Sequence, residues 1–397
     1  MLLGGKAMNI LITGSNGFIG KNLIATLQNL RDKKDKTRGI NIEELYLFDT
    51  DTPPSLLDEY CQKANFVFNL AGVNRPKDPE DFMTGNFGFS SFLLNTLKKH
   101  KNPAPVVLSS SIQAAMENPY GQSKKAGEDL FFQYAKESGV KVLIYRFPNV
   151  FGKWCRPNYN SVVATFCHNV ANGLPITVSD RSILMNLVYI DDVIQELVEA
   201  ILGKGHKNFE LFRDDGQAFY LVPTVFKVSL GEIVDLIYSF KAGREDLSVP
   251  NMGDPFTKKL YATYLSYLPK NGFGYDLKTK FDQRGSFSEI IRTSDRGQFS
   301  VNICKPGVTK GQHWHHTKNE KFLVVSGTGV IRFRSAMPEG PKEIIEYFVS
   351  GDQLKVIDIP TGYTHNIENL GSKDLVTFMW CCENFDPNNP DTYFLEV

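Results

Sequence analysis

Four side chains in the last quarter of the chain, His313, His315, Glu320 and His365, could hold one metal ion. Two histidines separated by one residue on a strand face the same side and can meet one cation. Glu320 and His365 would reach it from neighbouring strands, completing a set of three nitrogens and one oxygen. Imidazole with carboxylate suits Zn²⁺, Fe²⁺, Ni²⁺ or Mn²⁺ rather than Ca²⁺, and the residues leave the choice among these open. Of the chain's 7 histidines, His313, His315, His316 and His365 fall in these two places, a concentration that scattered polar histidines would not give.

A second chemistry lies near the other end. Gly14-Ser15-Asn16-Gly17-Phe18-Ile19-Gly20 spaces its glycines as G-x-x-G-x-x-G, directly after a strand and opening a helix. Glycine is needed where the chain turns tightly and where backbone approaches a pyrophosphate resting on a helix N-terminus. Asp49, at the end of the second strand, would accept hydrogen bonds from an adenosine ribose and repel a 2′-phosphate, which favours NAD over NADP. Tyr120 and Lys124 form Y-x-x-x-K and follow Ser109-Ser110-Ser111. Four residues apart on a helix they share a face, so the ammonium can ease formation of a tyrosinate and hold a ribose. Ser111 would hydrogen-bond the substrate carbonyl or carbinol oxygen.

Elements that could position these residues come in two styles. Over the first two hundred residues, strand-like runs at 9–13, 45–49, 66–71, 105–109 and 141–146 alternate with amphipathic helices, the pattern of a parallel sheet covered on both faces. Residues 230–240 read as a further helix. Beyond about Pro269 the runs at 298–303, 322–326, 329–333, 344–349, 353–359 and 375–380 are short and separated by Gly, Pro and Asn turns, which suggests a β-barrel or jelly roll. The boundary is placed in Pro269–Gly274, giving domains 8–270 and 271–397. With 397 residues and 42% hydrophobic content, two buried cores are affordable.

Forty-four Lys plus Arg balance 44 Asp plus Glu, so no basic field points to nucleic acid or an anionic membrane. No apolar run approaches the ~18–20 residues that span a bilayer. The 6 cysteines form no C-x-x-C pair, as in a reducing compartment. A soluble cytoplasmic enzyme with a small-molecule partner is expected. Residues 1–7 are given no role.

The first 240 residues resemble the extended short-chain dehydrogenase/reductases, whose pattern continues in Asn69-Leu70-Ala71-Gly72, Asn86, Arg146–Gly152 and Tyr189–Val193. This resemblance implies Ser111, Tyr120 and Lys124 as a proton relay, and a loop from Phe147 to Gly152 between nicotinamide and sugar. The cofactor would then meet Gly14, Asn16, Gly17, Phe18, Ile19, Gly20, Asp49, Leu70, Ala71, Gly72, Asn86, Tyr120, Lys124 and Phe147. Arg156, Asn158, Asn160 and Arg181 are candidates to line a nucleotide-sugar cleft, with Arg181 preferred and Arg156 read as a solvated residue.

Downstream, Gly307, His313, His315, Glu320 and Gly327, with Pro360–Asn369, fit the two motifs of the cupins, which bind metal through that set. Phe281–Glu289 is similar to the D-x-R-G-x-F-x-E element of nucleotide-sugar 3,5-epimerases, the bland alternative being a polar β-turn. The whole, including Gly72-Val73-Asn74-Arg75-Pro76 and the ending Pro390–Val397, is similar to bifunctional capsular polysaccharide enzymes in which such a reductase is fused to a cupin.

That similarity implies a cupin that epimerises C3 of a UDP-2-acetamido-2,6-dideoxy-4-hexulose. It also implies a reductase that converts the C4 ketone with NADPH to UDP-2-acetamido-2,6-dideoxy-L-talose, with zinc in the barrel and a homodimer. Asp49 dissents from NADPH, so NADH is admitted. His316, Tyr363 and Lys318 are candidates for the epimerase base. Competing readings are a nucleotide-sugar dehydratase or epimerase whose cupin is a metal-dependent oxygenase, or one whose cupin is a structural or dimerising module. Ile112 and Gln113 after Ser111, where dehydratases of this fold carry acidic residues, argue against the dehydratase.

Overall fold

The computed structural model describes residues 7–74, 76, 78, 80–212 and 217–397; Arg75 of the Gly72–Pro76 stretch and residues 1–6 lie outside the described residues. The chain forms two compact units, Met1–Ile237 with Lys259–Leu268, and Tyr238–Lys258 with Pro269–Val397. A single cut at 270 therefore does not describe the division. The helix expected at 230–240 runs on to Asp246, and the segment after it is tied to the second unit. Val249 N–H donates to the Arg292 carbonyl at 2.9 Å, and Arg292 N–H to that of Leu247 at 2.8 Å. Among the described residues no helix is long and apolar enough to cross a membrane.

In the first unit the strands are β1 (Met8–Thr13), β2 (Ile42–Phe48), β3 (Phe66–Asn69), β4 (Val106–Ser111), β5 (Val142–Phe147), β6 (Asn149–Phe151), β7 (Leu184–Tyr189), β8 (Lys207–Phe212), β9 (Ala218–Tyr220) and β10 (Phe226–Ser229). Seven of them form a sheet in the order β2-β1-β3-β4-β5-β9-β8, parallel from β2 to β9. Both faces are buried. Along β1, Ile10 and Ile12 belong to one apolar cluster and Leu11 to the other, all fully shielded from solvent. At ~1.5–3 kcal/mol per buried side chain of this size, each face supplies its own driving force for covering helices. Those helices are α1 (Phe18–Arg31), α2 (Pro54–Lys63), α3 (Glu80–Phe82), α4 (Phe89–Lys99), α5 (Pro119–Ser138), α6 (Val162–Ala171) and α7 (Ile190–Ile201). Strand order reverses between β1 and β3, where open sheets of this type place ligands at their carboxyl ends. The helices α8 (Leu230–Asp246) and α9 (Pro255–Leu265) each cross the division between the units in sequence.

The second unit is all-β from residue 279: β11 (Thr279–Asp282), β12 (Gly285–Arg292), β13 (Gln298–Cys304), β14 (Thr309–Trp314), β15 (Glu320–Ser326), β16 (Thr328–Ser335), β17 (Ile345–Ser350), β18 (Val356–Ile359), β19 (Tyr363–Asn369), β20 (Leu375–Cys381) and β21 (Tyr393–Phe394). They make two antiparallel sheets, β11-β12-β13-β20-β15-β18 and β17-β16-β19-β14-β21, the jelly-roll barrel of a cupin. Alternate residues such as Phe322 and Val324, Ile331 and Phe333, and Ile357 and Ile359 point inward and form its core. Strands β14 and β19, which carry three of the four proposed metal ligands or lead directly into them, are among those the hydrophobic pattern does not show, with β11, β12 and β21.

Candidate functional site

A cleft of about 1380 Å³ in the first unit collects the glycine loop, the serine run, Tyr120, Lys124 and Phe147. Gly14 has φ +69°, and a Cβ there would lie 2.6 Å from the Ala71 nitrogen. Only glycine lets the loop approach the end of β3 so closely. Of the expected cofactor set, Gly14, Asn16, Gly17, Phe18, Ile19, Gly20, Leu70, Gly72, Tyr120, Lys124 and Phe147 line this cleft, whereas Asp49, Ala71 and Asn86 are not among its lining residues.

Asp49 follows β2 and accepts the Asn16 N–H at 2.7 Å through Oδ2 and the Thr50 N–H at 2.8 Å through Oδ1. Asp51 accepts from the Asn16 side chain at 3.3 Å. Asn86, expected at a helix start, instead lies in a π-helical turn, Met83–Gly88, between α3 and α4. Single π turns inserted between α segments are frequent at functional sites. Its side chain accepts from Val73 N–H at 2.9 Å and donates to Ser123 Oγ at 3.0 Å, fixing the segment after β3.

Helix α5 begins with Asn118 as N-cap, accepting the Gly121 N–H at 2.8 Å, and with Pro119 in its first turn. That start sets Tyr120 and Lys124 toward Ser111 at the end of β4. Lys124 Nζ donates to the Ser109 carbonyl at 3.2 Å and lies 5.7 Å from the Tyr120 ring centre. Burial pushes the Lys124 ammonium down to about 8, with Glu128 opposing. Burial also raises the Tyr120 phenol, and the Ser111 hydroxyl opposes this only in part. Desolvation therefore sets the direction of the Tyr120 shift, toward the protonated phenol. Beneath the site Glu128, 1% exposed, receives a fork from Arg146 at 2.8 and 2.6 Å and a hydrogen bond from Ser110 at 2.6 Å, which locks β4, α5 and β5 together.

Arg156, Asn158 and Asn160 line the cleft; Arg181 does not. Arg181 pairs with Asp235 at 2.7 Å and donates to the Gly231 carbonyl. The preference between the two arginines is thus reversed by the structure, because Asp235, distant in sequence, claims Arg181. Trp154 and Cys155 also line the cleft, and no motif singles them out as contacts.

In the second unit His313, His315, Glu320 and His365 converge, with one possible ligand atom from each lying within 4.8 Å of all the others. His313 and His365 are register partners on β14 and β19, their ring centres 4.7 Å apart. His315 lies just past the end of β14. Its Nδ1 is 2.6 Å from the Asp391 carbonyl, an atom that can only accept, so Nδ1 donates there and Nε2 is the nitrogen turned toward Glu320. The Nε2 atoms of His315 and His365 stand 3.5 and 3.4 Å from Glu320 Oε2, near enough for ionic attraction yet without hydrogen-bond geometry.

Four buried atoms have no partner: His315 Nε2, Glu320 Oε2 and both nitrogens of His365. Buried polar groups are rarely left this way, and a cation among them would satisfy the set. Burial, with His365 beside it, pushes His313 down to about 4, so it is neutral. Burial would raise Glu320, but the two facing imidazoles hold it down to about 2. Imidazoles around one carboxylate are the donor set that a divalent metal such as zinc takes.

Regular alternation would put Lys310 and His313, three apart, on opposite sides of β14. A bulge intervenes: Gln312 is unpaired between Gly311↔Asn366 and His313↔His365, with φ +64° at Gln312 and +101° at Gly311. Lys310 and His313 therefore both face a cavity of about 390 Å³, which Asp282, Arg284, Asn302 and His365 also line. The Asp282–Arg284 element is at once the β11–β12 hairpin turn and a wall of this cavity; Arg284 Nη2 is 2.7 Å from Asp282 Oδ2.

His316, Tyr363 and Lys318 are absent from the cavity lining. The His316 ring packs on Trp314 and Tyr393, Tyr363 rests on the barrel core, and Lys318 Nζ donates to the Pro390 carbonyl at 2.6 Å. Lys310 and Asn302 were missed, and so was Asp391, since no motif marks them.

Residues 10–208 match the NAD dependent epimerase/dehydratase family and residues 280–393 the polysaccharide biosynthesis C-terminal domain. The chain is 39% identical over 98% of its length, and 99% of the relative's, to UDP-2-acetamido-2,6-beta-L-arabino-hexul-4-ose reductase of Pseudomonas aeruginosa. The crystal structure of the capsular polysaccharide assembling protein CapF from Staphylococcus aureus aligns with a TM-score of 0.88 at 52% identity, covering 98% of this chain and 100% of that one. UDP-glucose 4-epimerase of Thermotoga maritima, 18% identical with a TM-score of 0.52 over 66% of this chain and 98% of its own, shares the fold alone. The similarity to CapF and to the reductase spans both units, as the motifs of each imply. The chain belongs to the NAD dependent epimerase/dehydratase family, as an oxidoreductase that takes a nicotinamide cofactor and carries the polysaccharide biosynthesis C-terminal domain.

Proposed function

We propose that the protein is a bifunctional nucleotide-sugar enzyme of capsular polysaccharide biosynthesis, on the route to UDP-N-acetyl-L-fucosamine. Its cupin unit epimerises C3 of a UDP-2-acetamido-2,6-dideoxy-4-hexulose, and its first unit reduces the C4 ketone with NADPH to UDP-2-acetamido-2,6-dideoxy-L-talose. The observation that carries the reading is the convergence of Ser111, Tyr120 and Lys124 with the glycine loop in one cleft, in a chain 39% identical end to end to a 4-ketohexulose reductase.

A nicotinamide held in the cleft would supply the hydride to C4, and the reduction then needs a proton at O4. Tyr120, kept protonated by burial, supplies the proton; Ser111 donates a hydrogen bond to the same oxygen; and Lys124 holds positive charge behind the phenol. The carboxylates of Asp49 and Asp51 beside the loop disfavour a 2′-phosphate, so NADH serves as well.

In the cupin unit the C3 proton is acidic because it neighbours the ketone, and its return on the other face inverts the centre. His313, His315, Glu320 and His365 would hold zinc, which as a Lewis acid polarises a carbonyl oxygen. Reduction at C4 removes that acidity and fixes the new configuration. A structural metal is the competing reading, favoured by four protein ligands that can close a tetrahedral shell.

Incubating the protein with the 4-keto sugar in deuterated water, with and without NADPH, tests both halves. Deuterium at C3 without NADPH, and oxidation of one NADPH per sugar reduced, are expected. No exchange would refute the epimerase, and no NADPH or NADH oxidation the reductase. A homodimer and a cytoplasmic location complete the proposal.

A further inference from the structure

Four residues connect His315 to Glu320, and this connection leaves the regular ladder, so its backbone N–H groups need partners from elsewhere. Three of them find partners in one side chain, and the fourth, of Asn319, meets Cys382 Sγ at 3.4 Å. Asp391 Oδ1 accepts the N–H of His316 at 2.9 Å, and Oδ2 accepts the N–H of Thr317, the hydroxyl of Thr317 and the N–H of Lys318, each at 2.9 Å. The backbone carbonyl of the same residue takes the Nδ1 proton of His315 at 2.6 Å. Asp391 is buried at 9% exposure and holds a left-handed φ of +38°, a conformation an aspartate keeps only where its surroundings over-determine it.

The flanking chain reinforces the clamp. Lys318 Nζ donates to the Pro390 carbonyl at 2.6 Å, and β21 pairs with β14 so that Phe394 faces His313 and Tyr393 faces Trp314.

We infer that Asp391 is a positioning residue of the metal centre, its carbonyl selecting the nitrogen that His315 turns toward the other ligands and its carboxylate holding the loop between two ligands. This rests on the reading of the four-residue cluster as a metal site. Outer partners of this kind orient ligands and set affinity without touching the ion.

The test uses full-length protein stripped with a chelator and reloaded with Zn²⁺, with Co²⁺ as a coloured reporter. Asp391→Ala should weaken zinc about ten- to hundred-fold in competition with a chromophoric chelator. Asp391→Asn, equal in size, should do the same because its amide cannot accept from three N–H donors, and ¹⁵N shifts of His315 should show mixed tautomers. Circular dichroism and nicotinamide oxidation by the first unit report folding. Should either variant fail to fold, Thr317→Val removes one of the bonds to Oδ2 and should weaken zinc several-fold. Wild-type zinc affinity in every folded variant, with a single His315 tautomer, would overturn the inference alone. A wild-type protein that takes up neither zinc nor cobalt would overturn the metal reading beneath it.

Discussion

The cleft of the first unit and the cluster of the barrel are built on opposite principles. In the cleft, chemistry stands at strand ends, on a loop and on a helix start, and its polar atoms find protein partners: Lys124 on the Ser109 carbonyl, Asn86 on Val73 and Ser123, Ser110 on Glu128. In the barrel, the proposed ligands sit on or beside strands facing inward, and four of their buried atoms find none. A site that a cofactor enters and leaves on every turnover must be stable while vacant. A site for a resident ion can leave its own atoms unsatisfied, because the ion is part of the folded state.

The sharpest way to break that contrast is Tyr120→Phe, which should lower hydride transfer by about 10²–10⁴-fold, read as cofactor oxidation, while deuterium exchange at C3 continues unchanged. If exchange falls in parallel, the two centres are not separate in the sense proposed.

Chelation comes next. Loss of metal should lower the unfolding midpoint of the barrel, since an ion present at a thousand times its Kd stabilises by about 4 kcal/mol. Calorimetry with and without chelator reads this, and an unshifted barrel would mean that the orphaned atoms are tolerated without an ion. Saturation of the first unit with nicotinamide cofactor should leave the barrel transition where it is.

A smaller effect separates the centres by pH. Lys124 is protonated below about 8 in the folded protein, against an ordinary 10.5. Reductive turnover should therefore fall about tenfold per unit above that pH, a limb that Lys124→Met removes. Between the two values the unfolded chain binds the extra proton, so the stability of this unit rises over the window in which its activity falls. A flat rate profile to pH 10 would place the working proton elsewhere. The smallest effect belongs to Arg181→Ala: its partner is an exposed Asp235, so turnover should be unaltered and stability changed by less than about 1 kcal/mol.

The first unit was largely legible because its functional residues lie in local patterns. Glycines at a strand–helix turn and Tyr with Lys one helical turn apart carry their geometry in their spacing, and the buried strands read as apolar runs. In the barrel the converging cluster of His313, His315, Glu320 and His365 was legible, but not two of the strands that hold it. Thr309–Trp314 and Tyr363–Asn369 spend their inward positions on Lys, His and Asn, which erases the apolar alternation that reveals a strand. Asp391 was invisible for a different reason: its partners at 315–318 lie more than seventy residues away, and nothing local marks such a closure. Arg181 misled for the same cause, since its partner Asp235 is reached only through the fold.

The single unpaired residue in β14 sets the phase of the whole ligand strand. Drawing Gln312 into the ladder as a regular paired residue would keep every proposed ligand in the chain yet turn His313 from the interior to the outside, much as a one-letter slip garbles all that follows in a message. Gly311 can adopt its φ of +101° where other residues would strain, and the Gln312 carbonyl and side chain accept the N–H groups of Leu395 and Val397 at 3.0 and 2.9 Å. Spacing between ligands in this barrel is therefore informative only when the strand's irregularity is counted with it. A redesign that straightened β14 into an ideal strand would break up the proposed metal site while improving the sheet.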